Sequence, residues 1–315
     1  MSKNKDKKDF RTSIGGQALI EGIMMRGPKK QAMVIRTKDG FVTRTEDIKF
    51  LKDKYPIVGV VFIRGVVNFI SSMSNGMRAL TFSADNLPEE EQEEPSKFDN
   101  WIEKRMGTEK AEKAIVSVSV VLGIALSIGL FILLPTFLAG LLSRVIEVNV
   151  LKNLLEGAIR IAIFLTYIWL ATRLNDIKRM WAYHGAEHKT IFCYEKGLPL
   201  TVENVRVQSR LHPRCGTSFL FIVMIISILV FSVVSWNNVW IRIVLRLALL
   251  PVVVAISYEI IKLAGRYDNI LTRIISAPGK ALQKLTTQEP DDDMIETAIE
   301  AMILVIPEDV KEAEW

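Results

Sequence analysis

Histidine and cysteine are scarce in this chain of 315 residues, with three of the first and two of the second. Two cysteines cannot build a disulfide framework, and a reducing compartment is the expectation. The chain has neither the Gly-Lys-Ser/Thr of a phosphate loop nor the spacing of a dinucleotide fingerprint, so its glycine-rich opening is read as tight backbone packing. No DNA or RNA recognition motif accompanies the net charge of +5, and nucleic acid is not an expected partner. No apolar run follows the lysine-rich Met1 to Arg11 where a signal peptide would carry one. What the chain has in abundance is apolar sequence: half its residues are hydrophobic and its mean hydropathy is +0.25. The excess lies in runs of bilayer-spanning length, so the lipid bilayer is the first expected partner.

Four such runs are legible: residues 114–142, with Pro135 as a kink, 157–171, 219–234 and 239–263. Arg160, near the start of the second, is expected to snorkel to the interface. Between the first two runs stand only Arg144 and Lys152, whereas eight Lys and Arg residues separate the second from the third, and Arg266, Arg273, Lys280 and Lys284 follow the fourth. The positive-inside rule then places both termini and the second intervening segment in the cytoplasm, in a multi-pass protein of a cytoplasmic membrane.

The expected fold is mainly α: a polytopic membrane protein with about four transmembrane helices, a small N-terminal α+β cytoplasmic unit with a β-hairpin, and a C-terminal amphipathic helix. Residues 1–56 form the unit, its hairpin built from Ala32 to Thr37 and Phe41 to Ile48 around Lys38-Asp39-Gly40. Residues 57–84, apolar but interrupted by Arg64 and several serines, read as a helix lying on the membrane or packed against spans. Residues 85–112 read as an acidic linker. Residues 113–271 hold the spans and a cytoplasmic segment, 172–216, in which the second span runs on as helix until Gly197. Residues 272–315 are a cytoplasmic tail, and the apolar stripe of its helix, Met294 to Val305, is expected to dock onto the same protein.

The scarce residues are not scattered. Every histidine and cysteine falls between His184 and Cys215, as His184-Gly185-Ala186-Glu187-His188, Cys193 and His212-Pro213-Arg214-Cys215. On a helix His184 and His188 share a face, Glu187 stands at its edge, Glu195 returns to it and Cys193 points nearly opposite. Two imidazoles one turn apart can bind one zinc ion. The form His-x-x-Glu-His is that of an inverted zincin motif, with Glu187 as the base that takes a proton from the activated water. Gly185 weakens such a helix by roughly 1 kcal/mol relative to alanine unless packing needs the gap. His212 and Cys215 supply the third ligand, or both bind and fill the site; Glu259 is another candidate, and Glu195 and Cys193 are further ones. Arg210 and Arg214 could hold an anionic substrate or oxyanion, and Glu21 and Arg26 could lie close to the metal. The bland alternative is an aromatic and imidazole belt at headgroup level around Trp181 and Tyr183.

Several blocks resemble a known family. Gly15-Gly16-Gln17-Ala18, Glu21-Gly22 and Met24-Met25-Arg26-Gly27-Pro28 are similar to the opening signature of the YqhQ-like bacterial membrane proteins. Tyr183 to Lys189, Leu200 to Val205 and Ser209 to Phe219 resemble the central block. Pro278-Gly279, Leu282-Gln283 and Leu285 to Pro290 resemble the C-terminal signature. The resemblance covers nearly the whole chain and implies a multi-span protein of the bacterial cytoplasmic membrane, from a family described as uncharacterised or as predicted metal-dependent enzymes.

Two functions are therefore expected. The leading one is a membrane-embedded hydrolase dependent on zinc, or another divalent transition metal, acting at the cytoplasmic face. The alternative is a non-enzymatic membrane protein with structural zinc that regulates a membrane machine such as protein translocation or quality control. Its partner would be a membrane protein or a second copy of the chain.

Overall fold

The computed structural model describes residues 10–87, 104, 107–142, 149–233, 239–267 and 269–314. Most of the acidic linker expected at residues 85–112 lies outside them, but its ends are helical: Asp85 closes one helix and Thr108 opens another. The chain divides into two compact units: Met1–Pro88 with Ile168–Ser227 and Leu250–Trp315, and Glu89–Tyr167 with Ile228–Leu249.

The first unit is built on a four-stranded antiparallel meander: β1 Gly15–Leu19, β2 Gly22–Arg26, β3 Lys30–Thr37 and β4 Gly40–Asp47, in that order. The β3–β4 pair is the hairpin expected from sequence, turning at Gly40 with φ 128°. The glycine-rich opening forms a second hairpin, β1–β2, whose turn contains Glu21 at φ 50°. Packing does require its glycines: a Cβ on Gly22 would lie 2.4 Å from the Val34 carbonyl oxygen.

Strand alternation divides the apolar residues of β2 and β3 between two faces. Ile23, Met25, Ala32 and Val34 face one core, and Met24, Met33 and Ile35 face another. Strands buried on both sides need no polar alternation, which is why Ile23-Met24-Met25 has none. Helix α1, Ile63–Asp85, covers the second face through Ala79, and its Ser83 hydroxyl bonds the Ile20 carbonyl. The first face is covered by two helices introduced below, and each fully buried Ile or Met there contributes about 1.5–3 kcal/mol.

Among the described residues, three helical segments are long and apolar enough to cross a membrane: Ala114–Leu142, Leu151–Ala171 and Ile243–Arg266. The first comprises α2, Thr108–Ile128, a π-helical turn, Gly129–Leu133, and α3, Leu134–Leu142. The other two lie in α4, Asn149–Ala171, and, further on, in the helix Val239–Arg266. The remaining apolar stretch, Gly216–Ser232, is shorter.

In the second unit, Pro135 explains the irregular turn. It has no N–H to give the carbonyl four residues back, and its ring crowds that carbonyl. The carbonyl is that of Phe131, and the Arg160 Nε donates to it at 3.0 Å. Arg160 does not snorkel, contrary to the expectation from sequence. It is buried beside Glu156, which also accepts from Arg246, while Arg246 donates to the Thr136 hydroxyl at 2.7 Å. A charged group among apolar helices is stabilised by partners, and here four side chains supply them to one another.

The run of helix from the second span does not continue unbroken. It stops at Ala171, where the Thr172 hydroxyl bonds the Trp169 carbonyl, and restarts after an extended Leu174. The new helix is α5, Asn175–Glu195, and Gly197, at φ 65°, ends it as expected. After a short turn at Val202–Arg206 come α6, Gly216–Val233, α7, Val239–Arg266, α8, Ile270–Thr286, and α9, Asp292–Ile303. Helices α5 and α9 cover the first face of the sheet: Tyr183, Ala186 and Ile191 meet Ile295, Ala298 and Met302 there. The C-terminal helix thus docks onto its own chain. Helix α1 also packs against α7, with Gly65 on the Ala255 backbone.

Candidate metal centre

On α5 the rings of His184 and His188 lie 4.4 Å apart, centroid to centroid. A backbone carbonyl holds each ring: His184 Nδ1 is 2.9 Å from the Thr286 oxygen, and His188 Nδ1 is 2.6 Å from the Arg210 oxygen. A carbonyl only accepts, so Nδ1 carries a proton in both rings, and in the neutral tautomer Nε2 keeps its lone pair. His184 Nε2 lies 3.1 Å from Cys215 Sγ, and the buried His188 Nε2 has no hydrogen-bond partner among the described residues. The ligand atoms of His184, His188 and Cys215 all fall within 4.8 Å of one another.

This set passes a chemical test for a zinc-type ion. Tetrahedral bonds of about 2.0–2.3 Å put ligand atoms about 3.3–3.6 Å apart, within small adjustments of the spacing found. Carbonyls on the far nitrogens fix tautomer and ring orientation, as outer partners of metal-bound histidines do. A buried acceptor with no partner costs about 1–3 kcal/mol, and an ion would remove that cost.

Gln283, buried on α8, holds the loop that carries Cys215. It receives the His212 amide at 2.8 Å and donates to the His212 carbonyl at 2.7 Å. Cys215 then starts α6, its carbonyl accepting the Ser218 amide at 3.0 Å and its sulfur within 3.2 Å of the Thr217 hydroxyl. The segment after α8 lies across α5, where the Gln288 amide donates to the Trp181 carbonyl at 2.9 Å. Gly185 makes that contact possible, since a Cβ there would be 2.0 Å from the Gln288 oxygen. Packing needs the gap.

Glu187 is buried, and one of its carboxylate oxygens accepts the Gly16 amide of β1 at 2.9 Å. Burial pushes its carboxyl above the ordinary value, against the opposing pull of His184 and the Gly16 amide. Glu187, His184, His188 and Cys215 line one cavity of about 420 Å³, closed in part by Gly15 and Gly16. The fourth side of the donor set therefore borders open space and a carboxylate.

His212 lines the same cavity without joining the donor group. Its ring centroid is 5.5 Å from that of His188, and its Nε2 is 3.7 Å from a Glu195 oxygen. Burial lowers it to about 4, outweighing the Glu195 carboxylate, so it is neutral at pH 7. Glu195 is no ligand either: it accepts Arg214 and the Thr12 amide, and these contacts with His212 hold it below its ordinary value despite burial.

The other site residues named from sequence are placed elsewhere. Glu259 faces α1, where Arg64 engages both its oxygens, Nε at 2.7 Å. Cys193 is buried in the sheet-side core, its sulfur 3.5 Å from the Pro199 carbonyl oxygen, and burial raises its thiol. Glu21 stands at the β1–β2 turn and takes Arg179 at 2.5 Å through each oxygen. Arg26 shares the Met24 face of β2, the side away from α5, by strand alternation. Arg210 serves through its carbonyl on His188 and turns its guanidinium to Thr287 and Glu289. Of the named arginines, Arg214 alone lines the cavity.

Sequence reasoning did not assign roles to Gln283, Thr286 or the Arg210 carbonyl. The signal for Gln283 and Thr286 lay in the C-terminal block from Pro278 to Pro290, and that for Arg210 in the central block from Ser209 to Phe219.

The profile of the family described as "Protein of unknown function (DUF1385)" matches residues 60–308. The chain is 35% identical over 308 residues to the protein of Bacillus subtilis (strain 168) named "Uncharacterized protein YqhQ", covering 96% of this chain and 93% of that one. No solved structure matches.

Proposed function

The chain belongs to the DUF1385 family of YqhQ-like proteins, and on that premise we propose that it is a membrane-embedded, metal-dependent hydrolase working at the cytoplasmic face. The observation that carries this reading is the buried, unpartnered Nε2 of His188, a residue whose ligand atom lies within 4.8 Å of those of His184 and Cys215. Three protein donors beside an open cavity match the pattern of catalytic zinc rather than of a closed structural site.

Zinc on such a set supplies Lewis acidity and hydroxide at neutral pH. The chain's own residues do the rest. Glu187, oriented by the Gly16 amide, accepts the proton released by the attacking water and returns it to the leaving group. Burial raises its carboxyl above the ordinary value and so makes it a stronger base than an exposed glutamate. Neutral His212 and Arg214, the latter held by Glu195, line one wall of the cavity. The substrate class proposed is a peptide near the membrane or a lipid-linked metabolite.

The topology completes this reading. Gly216–Ser232 would be a fourth span, about 26 Å long at 1.5 Å per residue. Four spans and the loop charges leave both termini and the metal centre on the cytoplasmic side.

Elemental analysis of purified protein, joined to X-ray absorption, tests the centre. Near one zinc per chain with two nitrogen, one sulfur and one light exchangeable ligand is expected. A metal-free protein would end the proposal. Glu187→Gln should keep the metal and lose turnover by a factor of about 100 or more. The structural-zinc alternative has one supporting observation: an ion here would also tie α5 to the loop before α6. It predicts that Glu187→Gln is silent.

A further inference from the structure

A second cavity, of about 370 Å³, opens at the end of α7 away from Val239. Arg26, Lys49, Lys52, Arg64 and Lys262 line it without an acid among the lining residues, and Glu259 is already engaged by Arg64. The half-buried guanidinium of Arg26 has no hydrogen-bond or ion-pair partner among the described residues. Burial draws it below its ordinary value, as an uncompensated cation in a desolvated place should be.

The rim has a second character. Phe50, Leu51, Tyr55 and Ile57 are exposed, and so is the whole run of residues 60–63, where Phe62 takes φ 73° to enter α1. Water does not favour such a contiguous apolar patch. It joins the last turns of a helix apolar enough to cross a membrane, where Tyr258, Lys262 and Arg266 form the aromatic and basic girdle of a bilayer boundary. Apolar side chains around a basic hollow at that depth match one ligand chemistry: acyl chains below and a phosphate anion above.

We infer that this cavity binds the headgroup of an anionic phospholipid, with Arg26 and Arg64 at its floor, Lys49, Lys52 and Lys262 at its rim, and residues 50–63 inserted among the acyl chains. The inference is independent of the metal centre, from which these residues are separate.

Native mass spectrometry of the full-length protein, titrated in detergent with dioleoylphosphatidylglycerol or dioleoylphosphatidylcholine, tests it. Phosphatidylglycerol should be retained in preference. Lys52→Gln/Lys262→Gln, both at exposed side chains, should weaken that retention about 25-fold, fivefold for each charge. Arg26→Gln should do the same in a single step, by fivefold or more. A control with equal charge removed elsewhere, Lys38→Gln/Lys311→Gln, should bind as the unaltered protein does. Equal retention of the two lipids, or equal loss in the control, would overturn the site. Displacement of phosphatidylglycerol by 10-fold excess inorganic phosphate would show a soluble anion site instead of a lipid one, and would overturn it too.

Discussion

Gly185 on α5 and Gln288 in the segment after α8 touch so closely that a Cβ on the glycine would stand 2.0 Å from the Gln288 carbonyl oxygen. Two residues before Gln288, the Thr286 carbonyl fixes the His184 ring. The glycine that weakens the helix is thus the condition for orienting a ligand on it. The flanking contact of Gln288 with Trp181 keeps the segment there.

Gly185→Ala should push that segment off α5. The expected cost is about 1–3 kcal/mol of stability from overpacking, together with a 10–100-fold weaker hold on metal from the lost carbonyl. Thermal unfolding with and without chelator, and metal titration by competition, measure the two effects separately. A variant of normal metal affinity would show that the Thr286 carbonyl does not orient His184.

The two cysteines should behave oppositely. Cys215→Ser removes a donor from the convergent group, so metal content should drop several-fold. Cys193→Ser leaves that group intact and should hold its full complement, at a modest stability loss from a hydroxyl in an apolar place. Elemental analysis of both purified variants decides between them.

His212 predicts a pH effect. Its folded-state value of about 4 lies below the ordinary 6.5. Above pH 6.5 both folded and unfolded chains leave it neutral. As the pH falls from 6.5 towards 4, the unfolded chain takes up the proton first, and stability is lost at about 1.4 kcal/mol for each pH unit. Chemical unfolding in chelator across that range should therefore be less steep in pH for His212→Gln than for the unaltered chain. Parallel profiles would show that His212 is not held neutral by burial.

In the second unit, Glu156→Gln should be severe. It leaves Arg160 and Arg246 buried without their shared anion, and losing one partner of a buried pair costs about 3–5 kcal/mol. Glu156→Gln/Arg246→Met removes one stranded charge and should recover part of the loss. Unfolding in mild detergent, followed by circular dichroism, gives the comparison; a double variant no better than the single would argue against direct coupling.

Much of this was legible in the sequence. Apolar runs showed three helices long and apolar enough to cross a membrane, because length and charge content are additive along the chain, while the run from 219 to 234 gave a shorter helix. The β3–β4 hairpin was visible through Lys38-Asp39-Gly40, and the shared face of His184 and His188 followed from helical period alone. The first hairpin was not visible, since β2 is buried on both faces and carries no polar alternation. Glu259 and Arg160 were misjudged for a common reason: their partners, Arg64 and the Phe131 carbonyl, are far away in sequence. Gln283 and Thr286 act through an amide and a backbone oxygen, groups that every chain has in plenty, so only folding singles them out.

The order of synthesis gives the docking of α9 on β2 and β3 one last consequence. The ribosome makes the strands first, and the helix that shields their Ile23, Met25, Ala32 and Val34 side emerges long after them. Until that helix has been made, a newborn chain presents a bare, sticky face, and His184 lacks its guiding oxygen until Thr286 has been added. A chaperone that shelters nascent chains, or prompt delivery to the membrane, is thus a requirement of the architecture itself.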